Sequence, residues 1–258
     1  IAKSLECYQI SLNLCAETGD KLGEATCMNN IGFVYLIQGD TTLALSYYEK
    51  SLSINKEMKD NNGIAYCLNN IAHIYKAKKT FALAYKYYSE CLQLREESKD
   101  TRGIATALHN IAGLYEIQGD SEKSLEYYLK ALALREGIKD KKGISYSAYG
   151  LGLIYFNKGN IALAKKYAQQ SFEAAEQIRF PGNIISSARL MSKIYQHEKD
   201  WENAFKMLAI QVKTSDSLNS ETNKKAGYKQ QIKYEYEKKE AVLLADKQKE
   251  KELAEVAQ

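Results

Sequence analysis

Residues 21–60 read KLGEATCMNNIGFVYLIQGDTTLALSYYEKSLSINKEMKD, and residues 61–100 read NNGIAYCLNNIAHIYKAKKTFALAYKYYSECLQLREESKD. The second stretch repeats the residue types of the first at an interval of 40 residues, and the pattern continues along most of the chain. Series at this interval or a multiple of it are Tyr35, Tyr75, Tyr115, Tyr155 and Tyr195; Gly23, Gly63, Gly103 and Gly143; Ala44, Ala84, Ala164 and Ala204; and Asn30, Asn70 and Asn110. A fixed interval of this length predicts stacked supersecondary units that build a repeating surface.

Each unit predicts two helices joined by a short turn. In residues 21–60, apolar and small residues recur at helical spacing over Leu22–Gln38 and again over Thr41–Lys59. Gly39 and Asp40 separate the two segments, because glycine suits the left-handed end of one helix and aspartate caps the next. Lys79-Thr80 departs from this pattern. The predicted fold is an all-α solenoid of antiparallel helix hairpins.

The predicted division of the chain follows the period. It consists of the second helix of a truncated repeat at 1–20, repeats at 21–60, 61–100, 101–140, 141–180 and 181–220, and a charged C-terminal helix at 221–258. Because Ile1 opens the chain in the middle of a repeat, we expect a fragment of a longer protein.

Composition narrows the class of protein. Of 258 residues 45% are hydrophobic, which suffices for a continuous core, and a single proline suits long helices. A net charge of +4 is too small to indicate nucleic acid or an anionic membrane by itself. The sequence has no stretch apolar and long enough to predict a membrane span, so we expect no direct membrane insertion.

Cysteine takes the place of small buried residues. Cys27 and Cys67 share a repeat position that holds Ala107 and Ser147 in later repeats. The five cysteines are odd in number and lack C-x-x-C spacing, so neither a disulfide framework nor a metal site is expected.

The repeated residues resemble the tetratricopeptide repeat. That family places a large residue, Leu-Gly, Tyr, Ala, an aromatic and a small residue at fixed spacing. The first complete unit has Met28, Ile31-Gly32, Tyr35, Ala44, Tyr48 and Ser51, and the next has Leu68, Ile71-Ala72, Tyr75, Ala84, Tyr88 and Cys91. The resemblance implies a right-handed superhelix. The period exceeds the usual 34 and the closing proline is missing, as in the long-helix variant found in kinesin light chains and G-protein-signalling scaffolds.

The resemblance also implies a site. In the family the first helices line a concave groove, and Asn30, Asn70 and Asn110 match a position whose amide reaches the backbone of an extended peptide. An amide offers both a donor and an acceptor, so it can hold a peptide group without reading side chains. The alternative is that these amides bond to neighbouring helices and fix the superhelix. The predicted peptide-binding groove consists of Asn29, Asn30, Phe33, Tyr66, Asn69, Asn70, His73, Thr106, His109, Asn110, Tyr146, Tyr149 and Arg189.

Other chemistries find little support in the sequence. His73 and His109 lack a third ligand for zinc, and the chain has no phosphate-binding loop, H-E-x-x-H or G-x-S-x-G motif. We therefore expect no enzymatic activity, metal or cofactor in this chain. The amide and hydroxyl residues of the groove argue against RNA and against a basic clamp for C-terminal carboxylates. A protein or peptide ligand is the expected partner.

From about Glu221 the period is lost and charge rises. A sparse apolar stripe of Ile232, Tyr236, Leu243 and Leu253 predicts a long solvated helix that pairs with a partner helix or with itself, or whose first part caps the solenoid. Residues 228–240 resemble the connector of Bacteroidetes-type repeat-bearing sensors, which leads to a membrane helix and a histidine kinase, cyclase or DNA-binding output.

Two functional hypotheses follow: an interaction scaffold, or the input region of a signalling protein. The cysteines take the place of small core residues and are expected to be reduced, which favours the cytoplasm. The sensor resemblance favours an extracytoplasmic module.

Overall fold

The computed structural model describes residues 2–220 and 222, and every regular element in that part of the chain is an α-helix. The helices are α1 Ala2–Thr18, α2 Lys21–Gln38, α3 Thr41–Glu57, α4 Asn61–Ala77, α5 Phe81–Glu97, α6 Thr101–Gln118, α7 Ser121–Gly137, α8 Lys141–Asn157, α9 Ile161–Gln177 and α10 Pro181–His197, followed by α11 at 201–220. The predicted charged helix at 221–258 lies outside the described residues apart from position 222.

The helices stack in chain order. Each even-numbered helix, here called a first helix, packs against the odd-numbered second helix that follows it, and that second helix packs against the next first helix. First helices also contact one another, as α2 does α4 and α6 does α8. The fold is therefore the all-α solenoid of hairpins that the period predicts.

Aspartate side chains start most of these helices. The carboxylate of Asp40 accepts a hydrogen bond from the Leu43 amide at 2.9 Å, and that of Asp100 accepts one from the Gly103 amide at 2.9 Å. Such a bond satisfies an amide that has no partner within its own helix. Thr80 makes no capping bond through its side chain, yet α5 begins directly after it.

The helices end on a residue in the left-handed conformation. Glycine fills this position at Gly19, Gly39, Gly119 and Gly159, with φ between 74° and 85°. In the other described turns a basic residue adopts the same conformation: Lys59, Lys79, Lys99, Lys139, Arg179 and Lys199, with φ between 51° and 60°. Lys79 explains why the turn at Lys79-Thr80 forms although its sequence departs from the pattern.

Small residues bring the two helices of a hairpin together. A Cβ atom added to Gly32 would lie 2.9 Å from the Tyr48 ring and 3.1 Å from the Ala44 carbonyl oxygen. Ala44 itself is fully buried. A larger residue at Gly32 would push α2 away from α3, at a cost of about 1–3 kcal/mol.

Tyrosine builds the core in each repeat. Tyr48 and Tyr88 are completely buried on the second helices. The preceding tyrosine of each pair stacks on the first helix, as in Tyr75 on Tyr87 with ring centroids 5.5 Å apart. The paired tyrosines of the second helices are thus packing residues.

Cysteine is buried where the period places it. Cys27, Cys67 and Cys91 are buried and free. Burial raises the pKa of the Cys67 thiol, whose Sγ lies 3.2 Å from Ser51 Oγ.

The last described helix exposes a face that earlier second helices bury. Trp201, Phe205, Leu208 and Val212 of α11 are all exposed. Leu208 holds the repeat position of the buried Tyr48, which the following first helix covers in its own repeat. Among the described residues no further first helix follows α11. None of the described helices is both long and apolar enough to cross a bilayer.

Candidate functional site

The predicted groove residues all lie on first helices. Their surface, formed by α2, α4, α6, α8 and α10, is called the first-helix face below. α2 carries Asn29, Asn30 and Phe33; α4 carries Tyr66, Asn69, Asn70 and His73; α6 carries Thr106, His109 and Asn110; α8 carries Tyr146 and Tyr149; and α10 carries Arg189.

Asparagine amides connect successive first helices. Asn70 Nδ2 on α4 donates to Asn29 Oδ1 on α2 at 3.0 Å, and Asn110 Nδ2 on α6 donates to Asn69 Oδ1 on α4 at 2.7 Å. Asn110 is only 8% exposed. These two asparagines therefore hold neighbouring first helices together, which is the structural role that the sequence left open beside peptide contact.

The amide series ends at α8 because an aromatic ring takes its space. Gly150 stands in the position of Asn110, and a Cβ atom added there would lie 2.7 Å from Tyr128 Cζ. His109 takes the position of Asn69, and its Nδ1 lies 3.3 Å from Ser147 Oγ on α8. A histidine–serine contact thus replaces the paired amides between α6 and α8.

Two histidines lie edge-on against core tyrosines. The ring centroids of His73 and Tyr88 are 5.5 Å apart, and those of His109 and Tyr128 are 5.1 Å apart. Burial, with a smaller effect of the Lys76 charge, lowers the pKa of His73 to about 4. Burial, followed by the charges of Arg135, Lys76 and His73, lowers the pKa of His109 to about 3. Both imidazoles are therefore neutral near pH 7.

No group of three or more potential metal ligands occurs among residues 2–220 and 222. His73 and His109 are accordingly described by their aromatic contacts.

Two charged residues outside the predicted groove, Lys76 and Glu116, lie near these histidines, and Lys76 acts electrostatically on both rings. Tyr128 Oη donates to Glu116 Oε2 at 2.8 Å. Burial lowers the pKa of Lys76, and the Glu116 carboxylate opposes that effect. One repeat position holds Leu36, Lys76, Glu116 and Phe156 in successive repeats. The change from apolar to charged residues at this position is the sequence feature that could have identified Lys76 and Glu116.

The C-terminal part of the first-helix face is aromatic and basic. Tyr149 and Arg189 line a small hollow of about 70 Å³ together with Phe156 and Lys193. Burial raises the pKa of the Tyr149 hydroxyl, and the Arg189 charge opposes that effect. Tyr146 packs edge-on against Phe180, with centroids 5.5 Å apart.

Two clefts on the first-helix face are related by one period. The Asn55 cleft, of about 320 Å³, is lined by Ala25, Thr26, Asn29, Ser51, Asn55, Asp60, Asn62, Gly63, Tyr66 and Cys67. The Arg95 cleft, of about 330 Å³, is lined by Ala65, Tyr66, Asn69, Cys91, Arg95, Asp100, Arg102, Gly103, Thr106 and Ala107. Every residue of the second set lies 40 positions after one of the first.

Tyr66 separates the two clefts and lines both. It is 61% exposed, and Phe33 on the same face is 52% exposed. The structure thus brings Asn29, Tyr66, Asn69 and Thr106 together around neighbouring clefts. It leaves Arg189 at the separate hollow near α10.

A family model described as tetratricopeptide repeat matches residues 1–57 and 64–137, and a second model of the same description matches 146–178. No curated protein matches the sequence.

Solved structures share the fold at low identity. BtubC (BKLC) from P. vanneervenii has a TM-score of 0.73 and 14% identity, over 84% of this chain and 92% of that one. The apo form of the quorum sensor NprR from B. thuringiensis has a TM-score of 0.65 and 19% identity, over 83% of this chain and 61% of that one. A Rap protein complexed with Competence and Sporulation Factor has a TM-score of 0.64 and 13% identity, over 84% and 70%.

Proposed function

Because the chain belongs to the tetratricopeptide repeat family, we propose that it is a protein-interaction module that binds an extended peptide or protein segment along its first-helix face. It does so without chemistry of its own.

The pair of clefts related by one period is the observation that carries this proposal. An extended segment presents its backbone groups and side chains at regular intervals, so a surface that repeats the same hollow suits it. Asn29 and Asn69 line one cleft each, and each accepts a hydrogen bond from the next first helix through Oδ1. Their Nδ2 groups remain as donors for a ligand carbonyl.

Similar folds add support of a general kind. One was solved as a Rap protein complexed with Competence and Sporulation Factor, and another is a quorum sensor. Both share this architecture, so a solenoid of this shape is compatible with a bound signalling partner.

Selection of random peptides displayed on phage tests the proposal. The native chain is compared with a Phe33→Ala and Tyr66→Ala variant, which removes two exposed rings from the first-helix face. The matched control is Leu83→Ala and Tyr85→Ala, which removes exposed side chains from the second helix α5. Circular dichroism checks that each variant is folded.

We expect peptides that bind the native chain and the α5 variant but bind the first-helix variant at least about tenfold more weakly. Failure to select any peptide contradicts the proposal. Equal binding to all three proteins, or loss only in the α5 variant, contradicts it as well, since the ligand would then lie elsewhere.

A second candidate is the input region of a signalling protein that relays through its C-terminal helix. Earlier second helices end in a turn after 17 residues, whereas α11 continues without a turn through residue 220. A continuous helix transmits a displacement farther than one broken by a turn. Removal of residues 223–258 from the full-length parent protein would then abolish its response but leave peptide selection unchanged. An unchanged response excludes this candidate.

A further inference from the structure

The Arg95 and Asn55 clefts are lined by equivalent repeat positions and have similar volumes but opposite charge. Asn55 and Asn62 in one become Arg95 and Arg102 in the other, while each cleft keeps one aspartate. The Asn55 cleft thus has one carboxylate and no cation, a charge of −1. The Arg95 cleft has two guanidinium groups and one carboxylate, a charge of +1.

The Arg95 guanidinium is fixed in place before any ligand arrives. Its Nη1 donates to Asn62 Oδ1 at 2.8 Å and to Asp100 Oδ2 at 3.1 Å, and its Cζ lies 4.8 Å from the Tyr66 ring centroid. Arg95 is only 7% exposed and also bonds Cys91, but it lines the cleft, and arginine has five N–H donors in a planar fork, so donors remain after these contacts. A cation held in one orientation loses little entropy when it binds a carboxylate.

Asp100 contacts only one nitrogen of the guanidinium and leaves the others free of it. Oδ1 accepts from the Gly103 amide at 2.9 Å and Oδ2 accepts from Arg95. The second cation is exposed: the Arg102 side chain is 71% exposed, and its Nε is 4.0 Å from Asp140. A surface pair of this kind contributes little and can exchange partners.

The next repeat has the same residue type, also buried, but with different hydrogen-bond partners. Arg135 holds the position of Arg95, and its Nη1 donates to the Gly143 carbonyl at 2.7 Å and to Ser147 Oγ at 2.8 Å. Ser147 stands where the Arg95 cleft has Ala107. Ala107 offers no such acceptor, so Arg95 bonds Asn62 and Asp100 instead, and its guanidinium lines the cleft.

We propose that the Arg95 cleft binds the carboxylate of an Asp or Glu side chain in the bound segment, and that this contact sets the register of that segment on a repeating surface. The inference rests on the proposed function and adds the chemical class of one ligand side chain. Neighbouring helices lie about 8–10 Å apart, and an extended chain rises about 3.3 Å per residue. A slip by one repeat would move the ligand by about three residues and place its carboxylate in the negative Asn55 cleft.

Charge exchange between the two clefts tests this inference. Peptides are selected from the same random phage library with four proteins. The first is the native chain, and the second is Arg102→Asn, a change to an exposed side chain. The third is Arg95→Asn with Arg102→Asn, which copies the Asn55 cleft. The fourth is Asn55→Arg, which places a guanidinium in the earlier cleft and keeps Asn62, the acceptor of Arg95, in place.

We expect Asp or Glu to be enriched at one position of the native ligands. That enrichment should fall in Arg102→Asn and disappear in the double Asn variant, and each acidic ligand should bind the double variant about tenfold more weakly. The Asn55→Arg chain should select a second acidic position about three residues from the first.

Two results overturn the inference. One is the selection of native ligands without an acidic preference, in which case binding to the first-helix face stands and only the assigned side chain falls. The other is an acidic preference that persists in both Asn variants. Arg102→Asn keeps the test valid if the buried Arg95→Asn change destabilises the fold.

Discussion

At the residue scale, the asparagines at one repeat position differ in their hydrogen bonds. Asn70 and Asn110 each donate to the asparagine that precedes them by 41 residues, and Asn110 is buried. Asn30 is half-buried and, among the described residues, makes no such bond to another first helix. Asparagine at this repeat position therefore connects two first helices in some repeats but not in all.

Truncation should separate these asparagines by stability. Asn110→Ala leaves the Asn69 acceptor unpaired and should lower the free energy of unfolding by about 1–3 kcal/mol. Asn30→Ala should cost less than about 1 kcal/mol, since no inter-helix bond is lost. Urea unfolding monitored by circular dichroism gives both values from the midpoints at constant m-value. Equal losses of unfolding free energy in the two variants would show that the hydrogen bond from Asn110 to Asn69 does not stabilise the fold.

The period predicts which residues pack but not how polar side chains are satisfied. Gly32 and Ala44 recur as small residues at fixed repeat positions, and the structure places both where α2 packs against α3. Arg95 and Arg135 share a position but differ in hydrogen-bond partners, since Ser147 on the next first helix offers an acceptor and Ala107 does not. Such a difference depends on a contact across repeats, so a single repeat read along the sequence cannot show it.

At the element scale, helix boundaries were predictable where a capping residue marks them. Asp40 and Gly39 placed the start of α3 and the end of α2 within a few residues. Thr80 and Phe180 make no capping bond through their side chains, yet α5 and α10 begin there. A cap contributes only about 1 kcal/mol, and packing of the helix against its neighbours decides the rest.

Helices α4 and α6 should make the stability of the array depend on pH. The pKa of His73 falls to about 4 and that of His109 to about 3 on folding, against about 6.5 in an unfolded chain. Between these values the unfolded state binds more protons, so stability rises with pH. The histidine contribution is therefore fully present above about pH 6.5 and is lost as the pH falls toward 4 and then 3, by up to about 1.4 kcal/mol per pH unit for each imidazole.

Variants that copy other repeats isolate this effect. His73→Phe copies Phe33 and His109→Asn copies Asn69. Urea unfolding at several pH values between 4 and 7 should show a shallower loss of stability in the double variant than in the native chain. Carboxylates titrate equally in both proteins, so identical pH profiles would mean that these imidazoles are not buried as neutral groups.

At the scale of the whole molecule, one full repeat should be removable. Deletion of residues 61–100 joins Asp60 to Thr101, so α6 keeps an aspartate cap and follows α3 as it followed α5. The chain should fold and unfold cooperatively, with an m-value lower by about one sixth, since 40 of 258 residues are lost. Deletion of 61–80 joins two second helices in succession and should abolish the cooperative transition.

Equal damage from both deletions would contradict a structure built from interchangeable units. The architecture itself was predictable from the period, because every hairpin buries its core against neighbouring hairpins of the same kind. The ligand was not predictable from the period. The period identifies a repeated surface, whereas the chemistry of the ligand depends on the residues that differ between repeats. The charged cleft residues Arg95 and Arg102 are such residues.

The basic residues that end many of the helices also place a trypsin cleavage site at each of those turns. Lys59, Lys79 and Lys99 stand 20 residues apart at successive turns, and trypsin cleaves after lysine and arginine. A tight native turn does not fit a protease, so cleavage at each one waits for the helices beside it to open. Brief digestion followed by mass spectrometry would give fragments in steps of one helix, whose order of appearance reports which end of the solenoid frays first.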